Sequence, residues 1–257
     1  MKLSERILFS LSRAPQTRDY DLAREDWSVD NALHILAGAF PDFPRLIAGK
    51  KILDFGCGWG YQAVALIKQG ARQVVGLDTY LKSLEKARHL AQAHGLTEKQ
   101  VQFTDKLEQS DRGAFDIVIS QNSMEHFVEA VKIVQEMKLA LHPAGRLLIT
   151  FGPPWYAPYG SHMQYFTKLP WVNLLFDEAT VMNVRANFRK DGAKKYEEVE
   201  AGLAKMSVGR FERLVSQCGM KVQYKKYECV KGFDFLGRLP VLRELFINHV
   251  NCALVAC

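Results

Sequence analysis

Residues 51–78, KILDFGCGWGYQAVALIKQGARQVVGLD, constrain the fold more than any other stretch of the chain. The apolar run 51–55 suits a strand buried on both faces, which reads as a near-continuous hydrophobic segment. Gly56, Gly58 and Gly60 follow at alternate positions. Without a Cβ, the backbone there can turn tightly and approach a ligand that a larger residue would obstruct. A helix starting near Tyr61 then points free N–H groups, and the positive end of its dipole, at whatever lies over the loop. A second strand over 73–77 runs into Asp78. At that place in a doubly wound sheet an acidic side chain accepts hydrogen bonds from ribose hydroxyls. Strand, glycine loop, helix, strand and carboxylate, in that order, predict a nucleoside site.

The glycine spacing separates two kinds of nucleoside. A dinucleotide loop, G-x-G-x-x-G, needs glycine where this chain has Tyr61, which argues against an NAD(P)-linked oxidoreductase. Asp54 followed by Gly56-x-Gly58-x-Gly60 instead resembles the first motif of the class I S-adenosylmethionine-dependent methyltransferases, of the small-molecule, type 11/12-like kind. The resemblance extends over nearly all of the chain from residue 50 onward. It implies an α/β, Rossmann-like doubly wound sheet of seven strands, mostly parallel, with an antiparallel last strand. It also implies S-adenosyl-L-methionine as cofactor and methyl transfer to an O, N or C atom of a small organic acceptor. By the same resemblance, Asp54 and the loop Gly56, Cys57, Gly58 and Gly60 hold the methionine portion. Asp78, with Thr79 beside it, holds the ribose; Asp105, after the third strand, bonds the adenine amino group. Gln121, after the fourth strand, borders the adenine and the sulfonium.

The remaining pattern fits such a sheet. A chain of 257 residues with 48% hydrophobic content can bury a full core as one domain with a sizeable insertion. Residues 1–48 read as a helical cap outside the sheet. Ile7, Leu8 and Leu11 form one apolar face, and Trp27, Leu33, Ile35, Leu36 and Phe40 form a second helix before a turn at Pro41 and Pro44. A methyltransferase domain over 49–257 continues with a helix at 81–94 and strands at 101–103 and 115–120. A helix at 128–141, stopped by His142-Pro143, leads to a strand at 145–151. Strands alternating with helices predict a parallel sheet. Residues 152–206, with a charged stretch over 185–200, break the rhythm and exceed an ordinary loop, so they read as a lid or acceptor-binding insertion. A helix at 208–218, a strand at 221–229, a helical excursion at 231–246 and a strand at 251–256 close the chain.

Methyl transfer is an in-line displacement, in which holding the acceptor near the methyl carbon can supply about 7–11 kcal/mol. A hydroxyl acceptor also needs a base within hydrogen-bond reach, for which histidine suits neutral pH. His126, after the fourth strand, and His162, in the insertion, are the candidates, with Tyr159 a third on the same segment. Trp155, Tyr156, Tyr159, Tyr165 and Phe166 point to an apolar or aromatic acceptor pocket. Some methyltransferases acting on quinone precursors and RNA ends carry E-x-x-E-H after this strand, with a distant histidine completing a divalent-ion site. Glu125 and His126 match that pattern and His162 could be the distant ligand, but Asn122 replaces the first glutamate. Losing a carboxylate weakens a hard-cation site, so no metal is expected.

Other function classes are narrowed by composition. The formal charge is +6, yet the densest basic spots are only pairs: Arg189-Lys190, Lys194-Lys195 and Lys225-Lys226. No nucleic-acid groove is expected from that spread. GPPW at 152–155 is similar to the N-P-P-Y motif of amino-methylating DNA enzymes, but it follows the fifth strand rather than the fourth and starts with glycine. Cys57, Cys218, Cys229, Cys252 and Cys257 include no C-x-x-C pair, which favours a reducing, cytoplasmic setting. The first residues, MKLSERILFSLSRAP, read as an amphipathic helix rather than a signal peptide, and no apolar run is long enough to span a bilayer. A non-catalytic cofactor-binding module and a nucleic-acid methyltransferase stay open as alternatives, and the oligomeric state is not given by the sequence.

Overall fold

The computed structural model describes residues 1–13, 27–199, 202–240 and 242–256. Residues 14–26 of the expected cap, Glu200 at the end of the charged stretch, and Cys257 lie outside the described residues. The strands are β1 Lys51–Phe55, β2 Gln73–Leu77, β3 Val101–Thr104, β4 Phe115–Gln121, β5 Leu141–Phe151, β6 Met220–Cys229 and β7 Ile247–Ala256. They form one sheet in the order β3-β2-β1-β4-β5-β7-β6. Strands β1 to β5 pair in parallel, and β7 runs antiparallel to both of its neighbours. The doubly wound sheet expected from the sequence is present. Strand order reverses between β1 and β4, which opens a crevice at their carboxyl ends.

Period-2 alternation sends successive side chains of one strand to opposite cores. Leu53, Val118 and Ile149 pack with Met137 of α6 (Ala130–Ala140) and with Phe211 and Leu214 of α9 (Val208–Gln217). Ile52 and Val74 pack on the other face with helices α2 to α5: Leu36 of α2 (His34–Ala39), Phe43 of α3 (Phe43–Ile47), Val64 of α4 (Tyr61–Lys68) and Leu84 of α5 (Leu81–Ala93). Helix α9 starts where Ser207 accepts a hydrogen bond from the Arg210 N–H, an N-cap, and buries Phe211, Leu214 and Val215 at helical spacing. The insertion makes a third core with α1 (Leu3–Ser10), α7 (Val172–Leu175) and α8 (Glu178–Arg185), centred on Leu8, Phe166, Val181 and Tyr196.

Three expectations are corrected. The helix after β4 covers only Ala130–Ala140, and His142-Pro143 lies inside β5 rather than ending a helix. Leu141 pairs with Phe115 and Arg146 with Ile117, so residues 142–145 bulge opposite Asp116, where a proline forfeits no regular ladder bond. On α1, Leu8 is buried but Ile7 and Leu11 are exposed, because the helix turns Leu8 and Glu5 inward and Glu5 accepts a hydrogen bond from Asn183. Pro44 belongs to the first turn of α3 rather than to a turn, a position where its missing N–H costs no hydrogen bond.

Candidate functional site

The crevice at the strand-order reversal is a cleft of about 960 Å³. Its floor is the glycine loop. The Gly56 and Cys57 N–H groups both donate to the Leu77 carbonyl, at 2.8 and 3.0 Å, which ties the loop to the end of β2. Gly58 N–H donates to Asp78 Oδ2 and Tyr80 N–H to Asp78 Oδ1, each at 2.9 Å. Asp78 thus orients the loop while keeping lone pairs free for a ligand. A Cβ on Gly58 would project into open space, whereas one on Gly60 would come within 2.8 Å of the Ala87 side chain; both residues have positive φ.

Asp54 is the most unusual group in the cleft. It is almost fully buried, its Oδ1 accepts a 2.6 Å hydrogen bond from Gln62 Nε2, and its Oδ2 has no partner. Burial pushes its pKa up to about 7, the Gln62 bond works against that, and the Asp78 charge adds to it. A buried carboxylate oxygen with no partner calls for a cation or a donor. The same cleft offers a ribose acceptor in Asp78, N–H groups where the loop enters α4, and open space over Gly58. These features fit a nucleoside bearing a cationic amino-acid tail.

The opposite wall comes from the turn after β4, with Gln121, Asn122, Ser123, His126 and Phe127. The His126 ring bonds the Gly202 carbonyl through Nδ1 at 2.7 Å. A carbonyl can only accept, so Nδ1 carries a proton and Nε2 is left as the basic nitrogen of the neutral ring. The His162 ring packs edge-on against His126, with centroids 6.1 Å apart. Its pKa is pushed down to about 4 by burial, with the neighbouring His126 adding to the effect, and its Nε2 has no partner. Glu125 is buried with Oε2 unpartnered, and burial raises it to about 7. Two backbone bonds, Ala204 N–H to Glu125 O and Trp155 N–H to Met206 O, at 2.7 and 2.8 Å, complete the fastening of the insertion.

Of the residues singled out in the sequence, Asp54, Gly56, Cys57, Gly58, Asp78, Thr79, Gln121 and His126 line the cleft. The Cys57 thiol is held protonated, its pKa raised chiefly by burial and further by Asp54 and Asp78. His162 stands behind His126, and Gly60 packs against α5. Asp105 is exposed and outside the cleft wall, because the Thr104 hydroxyl bonds both the carbonyl and the N–H of Lys106 and turns the chain outward. Tyr159 is likewise outside the wall, with its hydroxyl near the Lys168 carbonyl. Phe166 is core of the insertion, and Trp155 packs edge-on against the buried Tyr196, so these aromatics build the insertion rather than line the cleft.

Sequence reasoning missed Trp27, Gln62, and the pair in which Lys86 Nζ sits 3.8 Å over the Trp59 ring. Gln62 left a signal, being the one uncharged polar side chain in the apolar helix YQAVALIK that could reach Asp54. Among the described residues, no group of three His, Cys, Asp or Glu side chains is placed to hold a metal ion.

Comparison with known proteins bears on the same segment. The family described as Methyltransferase domain matches residues 46–154. A ubiquinone biosynthesis O-methyltransferase of Actinobacillus pleuropneumoniae is 35% identical over 107 residues, covering 40% of this chain and 45% of that protein. A ribosomal protein L11 methyltransferase of Photobacterium profundum is 30% identical over 104 residues, covering 40% of this chain and 34% of that protein. The chain therefore spans less than half the length of these curated relatives. The crystal structure of an S-adenosylmethionine-dependent methyltransferase from Mesorhizobium loti shares the fold, with a TM-score of 0.57 at 19% identity over 88% of this chain and 99% of that one. Residues 46–154 are thus similar to the methyltransferase domain family, and the seven-stranded sheet has the fold of that solved S-adenosylmethionine-dependent methyltransferase.

Proposed function

We propose that this chain is an S-adenosylmethionine-dependent methyltransferase acting on a small organic acceptor, with a hydroxyl oxygen as the favoured target. The observation that carries the reading is the buried, half-partnered Asp54 carboxylate beside an open glycine cradle and the ribose-ready Asp78. When bound, S-adenosyl-L-methionine supplies a methyl group on a cationic sulfur, open to in-line attack. Asp54 and the loop N–H groups would hold the amino-acid tail, Asp78 the ribose, and Gln121 would border the base. His126, with its proton fixed on Nδ1 by Gly202, presents Nε2 as the acceptor for a hydroxyl proton. His162, kept neutral by burial, would exclude a competing charge from that end. Residues 152–206 would act as the lid over the acceptor.

The O-methyltransferase name of the ubiquinone-biosynthesis relative supports oxygen as the target, while the other relative is named for a protein, ribosomal protein L11. A non-catalytic binding module would share the cofactor site and lack turnover. The four described cysteines are unpaired thiols, in keeping with a cytoplasmic setting. No helix among the described residues is long and apolar enough to cross a membrane.

Calorimetry with S-adenosyl-L-methionine and its demethylated product tests the reading. Both should bind, and Asp78→Ala should weaken them by about 10- to 100-fold, the worth of one charged hydrogen bond. Absence of binding by either compound would end the assignment. Binding without transfer of labelled methyl to any small-molecule extract would favour the non-catalytic module.

A further inference from the structure

Helix α1 carries three distinct strips. At 3.6 residues per turn, Leu3 and Ile7 share one side with Leu11 at the C-cap, and Arg6 lies on the strip beside it with Lys2 at the N-cap, while Arg13 follows just past the end of the helix. Leu8 and Glu5 face the opposite way, into the protein. The apolar strip is strongly exposed, at 74%, 46% and 51% for Leu3, Ile7 and Leu11, and the three cations are exposed as well. The helix's only acid, Glu5, is spent inward on Asn183 and the Lys2 N–H. Asp177, close enough to feel Lys2, gives its oxygens to the Thr180 N–H and hydroxyl as the cap of α8. Among the described residues, the outward side of α1 itself carries apolar and cationic side chains and no acid, with Asp177 of the neighbouring segment near Lys2. It belongs to the insertion, since Leu8 is part of that core and Arg13 N–H bonds the Phe166 carbonyl at 2.8 Å.

Where an exposed apolar strip lies beside cations, charge selects among its possible occupants. A second copy, packed by a two-fold axis, would set Lys2, Arg6 and Arg13 against the same three cations. An anionic bilayer satisfies both strips, because a helix of this kind lies in the interface with its apolar side in the acyl boundary and its cations among the headgroups. We propose that the outer face of α1 is a docking surface for anionic phospholipid membranes. Resting on the methyl-transfer reading, the acceptor is then an amphiphile drawn from the bilayer into a site whose insertion is itself seated on that bilayer.

Co-sedimentation with phosphatidylcholine vesicles, with and without phosphatidylglycerol, tests this without methyl donor or acceptor. The full chain should pellet with the anionic vesicles and bind phosphatidylcholine alone at least about fivefold more weakly, the effect of a single interfacial cation. The triple variant Leu3→Ser/Ile7→Ser/Leu11→Ser and the triple variant Lys2→Glu/Arg6→Glu/Arg13→Glu should each lose at least about fivefold of that binding. Circular dichroism melts of both would verify that the fold is retained. No preference for anionic vesicles, or undiminished binding by both variants, would overturn the proposal. So would light scattering that shows a dimer converted to monomer by the serine variant with no vesicle binding by the parent, since the occupant would then be a second copy. Failure of the methyl-transfer reading would show in the calorimetry and would leave the vesicle result standing.

Discussion

Asp54 keeps a carboxyl group where water does not reach it, and this gives donor binding a pH signature. With its pKa raised to about 7, the folded protein holds a proton there that the unfolded chain has already lost. The group therefore contributes stability below the ordinary carboxylate range, and that contribution disappears as pH rises through about 7. His162 works in the opposite sense, since its lowered pKa removes stability as pH falls from the ordinary imidazole range toward about 4. Glu125 follows Asp54, so a melting profile alone does not isolate one group. Binding does, because a cationic tail reaching Oδ2 favours the ionised carboxylate. Affinity for the donor should tighten as pH climbs to about 7, with a proton released on binding below that value. Asp54→Asn should abolish this slope and weaken binding about tenfold or more above it, the scale of a charge-assisted hydrogen bond. Calorimetry in buffers of differing ionisation enthalpy reads both effects, and a slope unchanged in the variant would remove Asp54 from the tail's binding site.

At the scale of elements, the loop between β1 and α4 assigns its glycines different duties. Gly60 is hemmed in by Ala87 and Phe103, so Gly60→Ala should cost about 1–3 kcal/mol of stability, from strain at positive φ plus a clash with α5. Gly58 has open space where its Cβ would go, and that space is the cleft. Gly58→Ala should therefore melt closer to the parent than Gly60→Ala and lose more donor affinity; the reverse ranking would contradict the cradle. This loop was legible in the sequence because a strand, a glycine turn and a helix each leave a local pattern, and β2 was read to its residue limits. What stayed hidden depends on partners distant in sequence. The start of β5 at Leu141 is fixed by pairing with Phe115, the inward face of α1 by Asn183, and the Lys86–Trp59 contact by how α5 crosses the loop. Asp105, assigned to the adenine amino group by resemblance, is exposed just past the Thr104 turn, whose bonds to Lys106 leave no pattern in the sequence.

For the whole molecule, the question is whether the insertion and the sheet act as one unit. Among the described residues, those lining the cleft come from Trp27, the end of β1 through the start of α4, the end of β2 into α5, and the end of β4 with the turn after it, and none comes from residues 152–206. The insertion has a core of its own, in which Phe166 is buried and stacks on Phe188 with ring centroids 5.2 Å apart. It meets the site through Gly202 and Ala204, bonded to His126 and Glu125. Damage to its core should therefore loosen the proposed lid and the orientation of His126 without disturbing the floor that holds the donor. Phe166→Ala should remove about 3–5 kcal/mol from that core. The expected outcome is an early melting transition for the insertion, donor affinity within about twofold of the parent, and a fall in turnover of more than about tenfold, since acceptor alignment is where methyl transfer gains most. Calorimetry for binding and labelled-methyl transfer for turnover separate the two, and a parallel loss of donor affinity would mean that lid and sheet fold as a single cooperative body.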